Sequence, residues 1–211
     1  FSLYREQNRL NQLKKTIENA QSAILFISIP AVVGIIITAK DIISFLFGEA
    51  FLPAVATVQI LAVLVIVKSI GNLYGVQVLV AFGGEKTLFY TTVLGAISNV
   101  VMNVVLIPIL QQNGAAIASV LSELAVCIYQ YIAARKHIHT EFDKMDLSKM
   151  IVATAIMGII VYIIVHTVSN VFAGIVLSCS IGAFSYFALT FLLRIKMSNL
   201  VLKNIKTVLK I

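Results

Sequence analysis

The chain has 211 residues, 60% of them hydrophobic and only 12% charged, with a formal net charge of +7. Soluble domains carry about 25% charged residues, so this composition excludes an ordinary water-soluble globule and describes a chain built to face lipid. Apolar runs of roughly 18 or more residues recur along it, the length a helix needs to cross a bilayer.

The chain starts at Phe1 with neither an initiator Met nor signal-peptide architecture, and is expected to be the C-terminal part of a longer protein. Residues 1–20 are polar, with Arg5, Arg9, Lys14 and Lys15 set against Glu6 and Glu18. A solvated or interfacial connecting helix is the simplest expectation for them. The first span is predicted over 21–39, with Pro30 inside it. Proline is tolerated there when a neighbour re-satisfies the carbonyl it frees, and a kink is expected. Lys40 and Asp41 mark the far surface, and 42–47 is too short to span. That stretch is expected to lie at the interface before Gly48, Glu49 and Pro53 break the run.

The second span, over 54–82, would measure roughly 43 Å as a helix and should tilt, kink or protrude. At helical spacing Lys68, Asn72, Gly75 and Leu79 share one face, which is polar and small where the rest is aliphatic. Gly83, Gly84, Glu85 and Lys86 read as a tight turn into a third span over 87–110. On it Thr92, Ala96, Asn99 and Asn103 form a stripe beside Gly95, and Pro108 is expected to end the helix. Gln111 to Gly114 make the next turn, and a fourth span comes after it over 115–134. Its small-residue opening suits close helix contact, and Ser119, Ser122, Glu123 and Gln130 fall on one side of it. A charged loop (135–149) leads to a terminal hairpin (150–193) turning at Ser169 and Asn170, then to a basic tail (194–211). Cys127 and Cys179 lie within apolar spans without metal-type spacing and are expected to be inert buried thiols.

With about six spans placed, sidedness comes from the basic residues. Fourteen of the 16 Lys and Arg fall on one side, Lys40 alone on the other, and Lys68 within the membrane. Both ends are therefore expected in the cytoplasm, and the net charge is explained by orientation, which removes nucleic acid as a partner.

The buried polar groups carry the functional expectation. Glu123 lies about 13 Å beyond the Gly114 turn, near the bilayer midplane. Asn99, Lys68 and Asn72 fall at similar depth on their own spans. A charge at a helix centre costs at least about 2.5–3.5 kcal/mol even on insertion scales, so Lys68 and Glu123 are expected to face a hydrated cavity or to pair as a buried bridge. Asn103 and Ser119 complete the candidate pathway, with interhelical hydrogen bonding as the plainer role for both. No catalytic residue, cofactor or metal site is read, and no GxSxG, HExxH, P-loop or CxxC motif is present. A chain without a nucleotide motif would transport downhill or on a gradient.

The succession IPAVVGIIITAKDIISFLFGEAFLPA, VQILAVLV, a span with Asn and then Pro near its end, and NGAAIASVLSE resembles the C-terminal half of bacterial polysaccharide (O-antigen-type) flippases of the MATE-like superfamily. The likeness covers about 22–136, and the terminal hairpin resembles the extra pair of longer members. It implies an all-α polytopic bundle: the second of two pseudo-symmetric six-helix lobes around a central cavity, with the first lobe missing here. It also implies alternating access in the bacterial inner membrane and transfer of a lipid-linked oligosaccharide to the outer leaflet, driven by a proton or cation (Na+) gradient. In that setting Lys68 is the candidate for a substrate phosphate or sugar acid, and Glu123 for proton or cation sensing.

Two other functions compete. A cation-coupled multidrug antiporter of the same superfamily would share the architecture, and a membrane assembly subunit would not transport at all. A glycan polymerase is disfavoured, because the predicted outer connections are short and carry no basic cluster.

Overall fold

The computed structural model describes residues 10–198, and the flanking parts of the connecting helix and basic tail lie outside the described residues. The described chain is helical, without strands: α1 (Leu10–Phe47), a 3-10 turn (Glu49–Phe51), α2 (Ala54–Ala62), α3 (Leu64–Asn72), a π-helix (Leu73–Leu79), α4 (Glu85–Arg135), α5 (Lys144–Thr167) and α6 (Val171–Leu192). The chain forms two compact units, the first from residues 10–24 with Ala56–Phe142 and the second from Leu25–Val55 with 143–198.

The 51 residues of α4 would run about 77 Å if straight, far more than a bilayer of about 30 Å. They do not run straight. Gln111 has φ 51° and ψ −129°, and beyond it the chain reverses. Pairs advance on one limb as they retreat on the other: Met102 with Ser122, Asn99 with Ser119, and Thr91 with Gln130. Gly114 lies on the backbone of Leu106 and Ile107, where a Cβ would come within 2.6 Å of the Leu106 carbonyl carbon. The limbs 85–110 and 112–135 are thus the third and fourth spans. Pro108 is carried inside the helix and does not end it; Gln111 does.

Three further boundaries depart from expectation. α1 passes unbroken through Lys40 and Asp41 to Phe47, so connecting helix, first span and interfacial stretch are one element. The second span is interrupted at Val63 and passes into a π-helix at Leu73. The loop 135–149 contracts to 136–143, because Asp143 caps α5 by accepting from the amides of Met145 and Asp146. Of the two thiols, Cys127 is buried and Cys179 is exposed.

At one end of the first unit, Leu13, Ile17, Tyr74, Leu79, Ala134 and Ile138 pack into a core. Tyr74 is fully buried there. Its hydroxyl donates to the Gln21 side-chain carbonyl and pairs with Thr140 Oγ1 at 2.8 Å.

In the second unit Gly158 admits Val33 and Ile37 of α1, and Gly182 admits Val161 of α5, where a Cβ would stand 2.8 Å from the Val161 methyl. Lys196 donates to Asp143 Oδ2 at 2.5 Å and holds that carboxyl below the usual carboxylate range. The carbonyl that Pro30 frees is that of Phe26, four residues back. Tyr186 Oη donates to it at 2.8 Å, with the Phe26 and Tyr186 rings 5.3 Å apart. We expect Tyr186→Phe to cost about 1–3 kcal/mol, because it leaves a buried carbonyl unpaired. Thermal unfolding of the detergent-solubilised protein measures this, and an unchanged midpoint would show that the carbonyl needs no donor.

Candidate functional site

The site lies wholly in the first unit, between α3 and the two limbs of α4. Small residues make room for it. A Cβ on Gly95 would overlap the Val126 side chain, and one on Gly71 would stand 3.6 Å from Cβ of Cys127. The limbs therefore meet closely at this contact, and Gly95 and Val126 stand with Gly71 and Cys127 in the lining of a groove of about 640 Å³.

Lys68 and Asn72 from α3, Asn99 from the first limb, and Ser119 and Glu123 from the second all line this groove. Five of the six candidate residues are thus brought together, and Ser122 and Gln130 join them as their shared helix side predicts. Asn103 is not in the groove wall. It stands behind it, donating to Asn99 Oδ1 at 2.9 Å while its own carbonyl oxygen is buried without a partner. Asn99 in turn donates to Ser119 Oγ at 3.4 Å, across the two limbs.

Lys68 Nζ and Glu123 Oε1 are 2.7 Å apart. The two side chains are 59% and 37% exposed, so this is an ion pair within an open groove and not a bridge sealed inside the bundle. Pairing neutralises the one lysine that the groove offers.

The face predicted from Lys68, Asn72, Gly75 and Leu79 is only half realised. Lys68 and Asn72 line the groove, and Val76 joins them, but Gly75 lies under the amide of Gln130 and Leu79 is buried in the core. The π-helix adds a residue per turn and carries the later residues away from the face that a 3.6-residue period assigns. Thr57 Oγ1, which donates to Asn113 Oδ1 at 2.7 Å and ties α2 to the turn of α4, carried no signal in the sequence. A smaller apolar groove in the second unit, between Pro30, Gly34, Met157 and Gly182, holds none of the candidate residues.

Six apolar crossings among the described residues, two of them the limbs of α4, define a multi-pass membrane protein, and one of its units carries a polar ion-paired groove. The family model of the lipid II flippase MurJ matches residues 1–184, and the chain belongs to that family. It is 31% identical over 156 residues to the lipid II flippase MurJ of Bacillus subtilis (strain 168), covering 72% of this chain and 29% of that protein. It is 26% identical over 179 residues to the probable low-salt glycan biosynthesis flippase of Haloferax volcanii, covering 82% of this chain and 38% of that protein. A solved structure of a lipid II flippase MurJ in an inward closed conformation shares the fold, with a TM-score of 0.72 over 92% of this chain and 42% of that one, at 19% identity. The chain thus spans less than half the length of these proteins. The resemblance seen in the sequence led to a flippase family, and the family that matches is named for lipid II rather than for O-antigen.

Because both side chains are more than a third exposed, solvent screens their attraction, and the pair should contribute about 1 kcal/mol or less. A double-mutant cycle on Lys68→Met and Glu123→Gln, read by thermal unfolding, tests this. A coupling of several kcal/mol would mark the pair as a structural bridge.

Proposed function

We propose that this chain is the C-terminal part of a flippase that carries a lipid-linked glycan precursor from the cytoplasmic to the outer leaflet by alternating access, and that the groove forms part of its path. The observation that carries this reading is the exchangeable Lys68–Glu123 pair within a polar groove in an otherwise apolar bundle. Such a groove has no use in a bundle that only spans the bilayer, since intramembrane charges are costly and mark pathways. Family membership supports a lipid-linked substrate. Lipid II, the peptidoglycan precursor, is the favoured cargo, and the O-antigen-type unit is its competitor.

In this reading Lys68 meets an anionic group of the headgroup as a point charge. Glu123 holds Lys68 when no substrate is present and takes up a proton or cation when Lys68 is engaged. Asn72, Asn99 and Ser119 offer hydrogen bonds to sugar hydroxyls, with Asn103 holding Asn99. The one-sided distribution of basic residues supports a cytoplasmic position for both ends of the chain in the bacterial inner membrane. A cation-coupled drug antiporter would need a groove shaped for an apolar cation, and no observation favours it over the family's own class.

The test is transport by the full-length protein reconstituted in vesicles with fluorescent lipid II, and in parallel with a lipid-linked O-antigen unit. Lys68→Ala and Glu123→Gln should each lower lipid II translocation at least tenfold while the amount of folded protein is unchanged. Translocation of lipid II at the parent rate by both variants would remove the assigned roles. Transport of the O-antigen unit alone would move the protein to the other substrate.

A further inference from the structure

Toward the end of the first unit that bears Lys14, Lys86 and Arg135, eight buried apolar residues pack into a layer that includes residues close in sequence to Asn72 and Gln130 of the groove lining. Leu73, Tyr74, Val78 and Leu79 supply half of that layer's eight buried members, and all four come from the π-helix Leu73–Leu79. π-Helices are rare, occur mostly as single turns, and are frequent at functional sites. Seven consecutive residues in this form, within a 26-residue membrane-crossing segment, require surroundings that hold them there.

Gln130 supplies that hold. Its side chain is 5% exposed, its Nε2 donates to Thr91 Oγ1 at 3.2 Å, and it lines the groove. A Cβ at Gly71 would lie 3.6 Å from its Oε1, and one at Gly75 would overlap its Cδ at 2.6 Å. The amide therefore fills the space that Gly75 leaves open, just inside the π-helix. At the next residue, the Tyr131 ring meets the Tyr74 ring edge-on at 4.8 Å. Two consecutive residues of α4 thus grip the first turn of the π-helix, Gln130 against Gly75 and Tyr131 against Tyr74. Tyr74 is anchored a second time through Gln21 and Thr140.

We propose that the π-helix Leu73–Leu79 is the gate between the groove and the basic end of the unit, and that Gln130 is the positioning residue that keeps it shut. This rests on the reading of the groove as a transport path. A change from π to α removes the extra residue per turn and rotates the downstream residues by roughly 100° for each residue of register. Val78 and Leu79, downstream in the π-helix, then leave the closing layer, while Lys68 and Asn72 keep their α-helical places on the other side of the junction. The amide suits such a gate. It is costly to leave unpaired when buried, so its bond to Thr91 favours the closed form, yet water admitted through an open gate can replace that bond.

Access to a thiol reads the gate directly. In a cysteine-free background of the full-length protein, Asn72→Cys places a thiol in the groove wall. A membrane-impermeant maleimide is then applied to sealed vesicles from the face of the basic end, and separately from the opposite face. With Gln130 present, labelling from the basic-end face should be slow. Gln130→Leu, which keeps volume but removes the donor, and Gln130→Ala should raise that rate at least tenfold and leave the opposite face unchanged. No rise in either variant, or an equal rise from both faces as a loosened bundle would give, overturns the proposal. Labelling reads access and not transport, so labelling as expected in the Asn72→Cys protein together with no movement of lipid-linked glycan by the parent protein with Asn72 intact would sink the functional reading alone.

Discussion

The groove depends on the close approach of the two limbs of α4. Gly95 admits Val126, and Gly114 lies directly on the backbone of Leu106 and Ile107. In lipid no hydrophobic force draws helices together, so such small-residue contacts carry much of the association. With the limbs in contact there, Asn99 and Ser119 meet across them and Glu123 stands opposite Lys68 of α3. A side chain at either glycine would push the limbs apart and separate the polar groups that line the groove. The reversal at Gln111 sets the register on which all of these pairings depend.

The charge arrangement comes from the same register. A lone lysine or glutamate at this depth would be expensive, and each answers the other at 2.7 Å. Their exposure separates the pair from the fully buried links elsewhere in the molecule. Tyr186 on the Phe26 carbonyl is such a link, as is Tyr74 held by Gln21 and Thr140. Those links sit where the packing is tight and hold the fold; the Lys68–Glu123 pair sits where the packing is open.

Much of this was legible in the residues. Lengths of apolar sequence placed the turn and the end of the terminal hairpin, whose first helix begins six residues before the expected start at 150, and the QQNG turn separated the third and fourth spans. Helical spacing put Ser119, Ser122, Glu123 and Gln130 on one side, as they are in the groove. The failures have physical reasons. Lys40 and Asp41 read as the end of a span, yet a helix can carry charges past the bilayer surface, and α1 continues for seven residues beyond Lys40. Pro108 read as a stop, but the break falls at Gln111, whose backbone geometry no side-chain pattern announces. Gly75 and Leu79 were assigned to the polar face because a 3.6-residue period was assumed, and the π-helix changes that period. Asn103 shares the stripe of Asn99 but stands one layer behind the groove wall, which depth and spacing alone do not resolve.

The central claim, that lipid-linked substrate passes along the groove of the first unit, can be met by photo-crosslinking. A photoreactive residue at Thr92, in the groove wall, and another at Val104, 71% exposed and absent from the groove lining, would be compared in the full-length protein with radiolabelled lipid II. The account predicts a headgroup adduct at Thr92 that excess unlabelled substrate removes, and none at Val104. Equal adducts at both, or an adduct only at Val104, would contradict it.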